Sequence, residues 1–220
     1  MLRKLVLAVS FSTLAAFSSS VLATAFEVTD VEGRKVRFED QPNTFIVANY
    51  IANFMMVGGA PSLDKVVALT KDGWEDTRYG EYQVFTKSFP KMKDLPSIGG
   101  YHDDILNAEK ILSLHPDVLL IGRTQYAENS QRISTFEKAG IKVIVLDYHA
   151  MTTANHTLST EILGKLLGRE KIAEAQNKTY KEALDHVYST IAKLPQDQVG
   201  TKVYMETASK GLARYGNSYN

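Results

Sequence analysis

Side chains suited to binding a flat, anionic small molecule recur after the predicted strands and in one long insertion. The candidates are Asn49, Tyr50, Trp74, Arg78, Gly100, Tyr101, His102, Arg123, Gln125, Tyr126, Tyr148 and His149. Aromatic rings offer apolar faces, and guanidinium groups offer fixed hydrogen-bond donors to negative charge. The pattern predicts a binding site for a molecule such as a catechol or a macrocycle, with Tyr50 and Arg123 as the strongest candidates. For each residue, an ordinary place in a surface loop is the alternative.

Two of the loop histidines, His102 and His149, could also coordinate a metal ion through an imidazole nitrogen. A loop histidine without a metal is the alternative for both. The other three histidines lie on predicted helices or at their ends, and no site role is assigned to them.

The sequence contains none of the common catalytic signatures. HExxH, G-x-S-x-G, P-loop and G-x-G-x-x-G patterns are all missing. Each of these patterns places a metal ligand, a nucleophile or a phosphate cradle at a fixed spacing. We therefore expect a binding protein and not an enzyme, with an exported α/β enzyme as the alternative.

Strands that alternate with helices would position the candidate side chains. Near-continuous apolar runs predict strands at residues 44–48, 65–69, 117–121 and 142–146. A hairpin and helices are predicted around them, at residues 26–40, 104–114 and 128–139. Apolar strands of this kind predict a parallel α/β sheet covered by helices on both faces. The segments that follow such strands meet at one edge of the sheet, where ligands bind.

The character of the chain changes after Thr152. Helical periodicity covers residues 153–167 and then residues 169–194, which would span about 39 Å at 1.5 Å per residue. That length exceeds what a crossover helix inside one lobe needs. Pro195 ends the run, and residues 201–205 are predicted to form a further strand.

The first 25 residues have the pattern of a signal peptide. Arg3 and Lys4 precede an apolar stretch, and Ala23-Thr24-Ala25 gives the small-residue pattern of a cleavage site. The mature chain is therefore predicted to begin at Phe26 and to be a soluble protein of the periplasm. No cysteine is present to accept a lipid anchor.

The charge of the predicted mature chain gives no reason to expect a nucleic-acid partner. The full sequence has 25 basic and 25 acidic side chains, and removal of Arg3 and Lys4 leaves 23 basic side chains. Binding of nucleic acid usually requires a concentrated basic face.

Three segments in a fixed order carry a family resemblance. Residues 29–70 run from a hairpin through a proline and a buried strand to the run DKVVA. Residues 95–122 contain a Gly-Gly loop, N-x-E-x-I and L-x-P-D, and residues 163–184 open the long helix. In this order they resemble the periplasmic binding proteins for iron siderophores, haem and vitamin B12.

The resemblance implies two α/β lobes joined by a rigid helix, with the ligand held between them. Residues 26–150 would be the N-terminal lobe, residues 151–195 would contain the interlobe helix, and residues 196–220 would begin a second lobe that is mostly missing. The implied function is capture of a metal chelate, most simply a ferric siderophore, for the permease of an ABC importer. Alternatives on the same scaffold are a corrinoid, haem or a nickel chelate. The resemblance also implies a monomer when complete, with Glu109 docking onto the permease.

The end of the sequence leads to one further expectation. With little of the second lobe present, Ile191 and Leu194 would lack cover, and the strand at residues 201–205 would lack a pairing partner. We therefore expect residues 1–220 not to be a complete receptor. A truncated product without an independent function is an alternative.

Overall fold

A parallel sheet of four strands lies at the centre of the protein. The computed structural model describes residues 25–150 and 152–195, together with the backbone of two short strands near the end of the chain. The strands in these ranges are β1 (Phe26–Thr29), β2 (Lys35–Phe38), β3 (Phe45–Val47), β4 (Val66–Leu69), β5 (Val118–Gly122), β6 (Lys142–Leu146), β7 (Val203–Met205) and β8 (Asn217–Tyr219).

Helices follow most of the central strands. In the described residues they are α1 (Ile51–Gly58), α2 (Asp72–Asp76), α3 (Tyr79–Ser88), α4 (Lys91–Asp94), α5 (Ala108–Leu114), α6 (Arg123–Glu128), α7 (Ser130–Lys138), α8 (Thr153–Leu167) and α9 (Glu170–Ile191). A 3₁₀ helix at Ala60–Lys65 leads into β4. Among these helices, none combines the length and apolar character needed to cross a membrane.

The order of the central strands is β4-β3-β5-β6, and every neighbouring pair is parallel. Successive side chains of a strand point to opposite faces. Phe45 and Val47 pack on one face with α1 and α8, whereas Ile46 packs on the other face with Phe136 of α7 and Ile111 of α5. The predicted α/β architecture, with a sheet buried on both faces, is thereby confirmed.

The β1–β2 hairpin is joined to the edge strand β6 by a buried carboxylate. Asp30 Oδ1 accepts hydrogen bonds from the backbone N–H groups of Glu32 and Arg34, each at 3.0 Å. Asp30 Oδ2 accepts one from Val145 N at 3.2 Å and pairs with Arg34 Nη2 at 2.7 Å. Arg34 Nη2 also donates to the backbone oxygen of Val143 at 2.7 Å. One ion pair therefore fixes the hairpin turn and its position on the sheet.

The predicted helix at residues 104–114 begins later than expected. Asp104 has a φ of 59°, and Ile105 remains 46 % exposed instead of lying on the buried face. The helix begins at Ala108 because the side chain of Asn107 accepts a hydrogen bond from Lys110 N. An asparagine at this position satisfies a free N–H group of the first turn.

Two further stretches differ from the sequence prediction. The insertion after Leu69, for which no helix was predicted, contains three helices, and Trp74 of α2 packs edge-on against the rings of Tyr82 and Phe85 of α3. The helix predicted at residues 128–139 is confirmed as α7, but a further helix that was not predicted, α6, precedes it and meets it at the buried Asn129.

The long helix α9 packs on the rest of the protein over only part of its length. Ala173 is buried against α8, whereas Val187, Ile191 and Leu194 are exposed. The expectation that the next strand lacks a partner is wrong, because β7 pairs with β8 in an antiparallel register. The predicted signal peptide, by contrast, lies almost wholly outside the described residues.

Replacement of Asp30 tests the hairpin anchor. We expect Asp30→Ala to lower the free energy of unfolding by about 3 kcal/mol, because it leaves Arg34 and several backbone N–H groups without their acceptor. Glu39→Ala is the control, since Glu39 pairs with Arg37 on the exposed side of β2. Urea unfolding measures both variants, and equal midpoints would contradict the assignment.

Candidate functional site

A cleft opens at the edge of the sheet where the parallel strands end. It encloses about 260 Å³ and is formed by the segment after β3, by helices α2 and α3, and by the segments that follow Gly100 and Asp147. Its lining residues are Val47, Ala48, Asn49, Tyr50, Ile51, Ala52, Asn53, Thr70, Trp74, Arg78, Glu81, Tyr101, Tyr148 and His149. This is the edge at which ligands bind in open α/β sheets.

Asn49 and Tyr50 form the floor of the cleft. Tyr50 has φ 63° and ψ 36°, a left-handed conformation that bulky side chains rarely adopt. It occupies the N-cap position of α1, and its N–H lies 3.0 Å from Asn49 Oδ1. Gly122 leaves room for this arrangement, because a Cβ there would lie 2.9 Å from Asn49 Nδ2. Backbone strain of this kind persists where the surrounding structure enforces it, often at ligand sites.

Tyr148 and His149 form one wall of the cleft, in contact with the floor. The ring centroid of Tyr50 lies 5.1 Å from that of Tyr148 and 5.1 Å from that of His149, edge-on in both cases. Asp147 shapes the turn, because its Oδ1 accepts hydrogen bonds from His149 N and Ala150 N at 3.0 Å. Aromatic edges and faces thus line the cleft on two sides.

Burial shifts the pKa of two tyrosines, one in the floor of the cleft and one in this wall. It raises the pKa of Tyr50 to about 12 and that of Tyr148 to about 12. The Tyr148 hydroxyl lies 3.1 Å from Thr160 Oγ1. Behind Tyr148, His156 stacks on Tyr180 at 4.0 Å, and burial lowers the pKa of His156. At neutral pH both phenols are therefore uncharged.

The opposite wall comes from α2, α3 and the segment after Gly100. Trp74 is 5 % exposed beneath it, and the ring of Tyr101 lies directly against Gly73. Arg78 supplies a positive charge among the lining residues and lies 3.7 Å from Glu81 at i,i+3. This wall combines aromatic surface with an exposed guanidinium.

Arg123, one of the two strongest sequence candidates, does not line the cleft. Its Nε donates to Glu32 Oε1 at 2.6 Å, and its Nη1 lies 3.6 Å from Asp147 Oδ2. The hydrogen bond and the negative charge of Glu32 raise the pKa of Arg123. Two carboxylates thus already balance its charge, so Arg78 and not Arg123 supplies the cleft arginine.

Four other candidates, Gly100, His102, Gln125 and Tyr126, also lie outside the cleft lining. Gln125 is buried and hydrogen-bonds only to backbone groups. Tyr126 lies beneath the guanidinium of Arg34, whose Cζ is 4.7 Å from the ring centroid. His102 is exposed, with its Nε2 3.9 Å from Asp76 Oδ2.

The described residues contain no group of three or more histidine, cysteine, aspartate or glutamate side chains that could hold a metal ion. Neither His102 nor His149 therefore belongs to such a group within these ranges. His149 instead packs against the ring of Tyr50.

Some of the residues that line the cleft were not among the candidates from the sequence. Asn53 lies in the first turn of α1, and Thr70 directly follows β4. Glu81 belongs to α3, which was not predicted. The i,i+3 spacing of Arg78 and Glu81 is a helical signal that could have located it.

A larger concavity of about 690 Å³ lies between α8 and α9. Its lining consists largely of lysine and glutamate side chains on neighbouring helices, among them Glu161, Lys165 and Lys178. Such a surface is typical of a solvated helix pair. The smaller cleft is the better candidate because aromatic, amide and guanidinium groups converge there at the strand ends.

A family model and a curated relative both match this chain to binding proteins. A family model described as "Periplasmic binding protein" matches residues 62–218. Among curated proteins, the chain is 25 % identical over 172 residues to the uncharacterized ABC transporter substrate-binding lipoprotein YvrC of Bacillus subtilis, covering 78 % of this chain and 49 % of that protein.

Solved structures show the same fold. The TroA-like periplasmic binding protein FepB from Veillonella parvula matches with a TM-score of 0.71 and 26 % identity, over 77 % of this chain and 50 % of that chain. The siderophore binding protein BauB, bound to acinetobactin and ferric iron, matches with a TM-score of 0.57 and 17 % identity, over 78 % and 55 % of the two chains. The latter likeness shows the fold alone. The chain spans about half the length of these relatives.

The contact between Gly73 and Tyr101 predicts the effect of a single methyl group. Gly73→Ala would place its Cβ inside the Tyr101 ring, so we expect the ring to move, the free energy of unfolding to fall by about 1–3 kcal/mol and the emission of Trp74 to change. Gly80→Ala on α3 is the matched control, because a Cβ there meets open space. Urea unfolding followed by fluorescence compares the two variants. Equal unfolding midpoints and equal Trp74 emission would contradict the contact between Gly73 and Tyr101.

Proposed function

The chain belongs to the periplasmic binding protein family, and on that premise we propose that it forms the ligand-binding lobe of a substrate-binding protein serving an ABC importer. The observation that carries this proposal is the cleft at the strand ends, where aromatic, amide and guanidinium groups converge. The family name describes binding, and the name of the Bacillus relative links that protein to an ABC transporter.

We propose a metal chelate as the ligand, with a ferric siderophore as the favoured class. The rings of Tyr101 and Tyr148 offer apolar surface to an aromatic chelator, and the buried Trp74 supports this surface from beneath. Arg78 offers donors to the negative charge of such a complex. BauB, which shares the fold, binds a ferric siderophore. A corrinoid, haem or a nickel chelate on the same scaffold is the alternative.

The exposed part of α9 supports a two-lobed arrangement. Val187, Ile191 and Leu194 present apolar side chains to solvent, whereas the start of the helix packs against α8. Exposed apolar patches commonly mark interaction surfaces. We propose that a second lobe packs on this part of the helix and that ligand is held between the two lobes.

We propose a location in the periplasm and a membrane permease as the protein partner. Glu109 lies in the first turn of α5 and is exposed. Because α5 packs on the face of the sheet opposite to α8, Glu109 is free to meet a partner away from the α8–α9 side. This position supports docking by Glu109 onto a basic group of the permease.

The first test concerns the charge in the cleft. In the full-length protein, we expect Arg78→Ala to weaken binding of an anionic ferric tricatecholate about tenfold, a loss of about 1.4 kcal/mol. Arg123→Ala is the matched control and should change the affinity much less, because Glu32 and Asp147 already pair with Arg123.

Trp74 emission, titrated with the ferric tricatecholate, haemin and cyanocobalamin, measures these affinities. Equal losses in the two arginine variants would contradict the assignment of Arg78. Tight binding of haemin or cyanocobalamin without binding of the ferric complex would replace the siderophore with the alternative ligand.

The second test concerns docking. We expect Glu109→Lys to abolish uptake of the ligand into cells while leaving the dissociation constant of the purified protein unchanged, because the substitution reverses a charge away from the cleft. Glu174→Lys, at an exposed position of α9, is the control and should retain uptake. A parallel loss of uptake and affinity in Glu109→Lys would assign Glu109 to the fold or to the cleft.

A further inference from the structure

We propose that Gln125 is a positioning residue that sets the spacing between the floor of the cleft and the wall that carries Tyr101. The proposal rests on the function proposed above, in which the cleft holds the ligand. It assigns to Gln125 a role beneath the cleft in place of the direct ligand contact that the sequence suggested.

The carboxamide of Gln125 joins three segments that end at the cleft. Its Oε1 accepts a hydrogen bond from Gly122 N at 3.1 Å, at the end of β5. Its Nε2 donates to the backbone oxygens of Ala48 at 3.0 Å and Gly100 at 3.2 Å. Ala48 directly precedes Asn49 in the floor, and Gly100 directly precedes Tyr101 in the wall. One side chain, only 1 % exposed, therefore hydrogen-bonds to both sides of the cleft.

Asn129 supports the far end of the same wall. Its Oδ1 accepts from Leu106 N at 3.1 Å, and its Nδ2 donates to the backbone oxygens of Asp104 and Gln125, both at 2.7 Å. Like Gln125, Asn129 is 1 % exposed. Two buried amides on the α6–α7 segment thus hold the wall segment, residues 99–106, at both ends.

The wall segment needs this external support because its own backbone is unusual. Gly99 and Gly100 have φ values of 73° and 86°, and Asp104 has a φ of 59°. Between its ends it forms a single bridge, from Gly99 to Leu106. Glycine adopts positive φ readily, but the left-handed conformation of Asp104 persists only where neighbouring groups determine it. Gln125 and Asn129 donate hydrogen bonds that hold the wall segment in this conformation. These bonds thereby set the position of Tyr101.

An amide is the side-chain group that fits the partners of Gln125. Two backbone oxygens require two N–H donors, and one backbone N–H requires an acceptor. An ionised glutamate would turn a second oxygen toward the two backbone oxygens, and a methionine of similar length would offer no comparable donor. Both substitutions leave buried polar groups without partners, which is costly in a low-dielectric interior.

The test compares Gln125→Glu and Gln125→Met in the full-length protein, with Gln131→Glu as the matched control. Gln131 is exposed on α7, so its substitution makes the same chemical change without disturbing a buried site. Hydrogen exchange at the amides of Leu106 and Asn107 reports on the wall segment, because these N–H groups bond to Asn129 Oδ1 and to the backbone oxygen of Ile98. Trp74 emission, titrated with a ferric tricatecholate well below the unfolding temperature, reports on the cleft.

We expect both Gln125 variants to exchange faster at these two amides and to bind the ferric tricatecholate about tenfold more weakly, while residues 45–47 of β3 and 118–121 of β5 keep their protection. Lowering the pH from 8 to 5.5 protonates the new carboxyl of Gln125→Glu and restores one donor. Its exchange and affinity, each relative to the parent at the same pH, should therefore recover, whereas Gln125→Met should show no recovery. A purely structural role would lower the unfolding temperature without this pH-dependent recovery of affinity.

Parent-like exchange and affinity in both Gln125 variants would overturn the proposal. Equal effects of Gln131→Glu would overturn it as well. If the parent protein fails to bind the ferric tricatecholate, that ligand class is excluded, and the exchange experiment still decides whether Gln125 positions the wall segment.

Discussion

Burial of the parallel sheet on both faces is the constraint on which the rest of the structure depends. Phe45 and Val47 of β3 face one layer of helices and Ile46 faces the other, so both faces of this strand are buried. Because neighbouring strands run in the same direction, each connection must cross a face of the sheet and return to the same starting edge. The apolar character of the strands therefore dictates both layers of helices, and it brings the segments after the strands together at one edge.

That edge is useful for binding because its backbone groups are satisfied by buried side chains and not by further strands. Asp147 accepts hydrogen bonds from the turn that carries His149, and Gln125 and Asn129 hydrogen-bond to the wall segment. Asp30 does the same for the hairpin at the edge strand β6. Buried polar groups almost always find partners, and here these partners fix the loops from beneath. The cleft surface itself combines aromatic rings and amides with Arg78 and its neighbour Glu81.

The two arginines near this edge illustrate how local charge decides a role. Arg78 and Arg123 are both exposed, but Glu32 and Asp147 flank Arg123, whereas Arg78, at the N-cap of α3, lines the cleft beside the single carboxylate of Glu81. A guanidinium whose charge is already balanced by two carboxylates attracts an anionic ligand less strongly. Packing separates two of the candidate tyrosines. The guanidinium of Arg34 covers the ring of Tyr126, whereas Tyr148 lines the cleft.

The sequence by itself determined the parallel sheet, the helices on both faces and the edge at which the candidate residues gather. These follow from apolar runs and helical periodicity, which are local properties of the chain. Asn49, Tyr50, Trp74 and Tyr148 were found in this way because each lies close to a strand end or on an aromatic cluster. Only the tertiary structure decided that Gln125 lies beneath the cleft and that Arg123 pairs with Glu32, 91 positions away along the chain. Those roles depend on which backbone oxygen or carboxylate a side chain meets after folding, and no local pattern in the sequence records such partners.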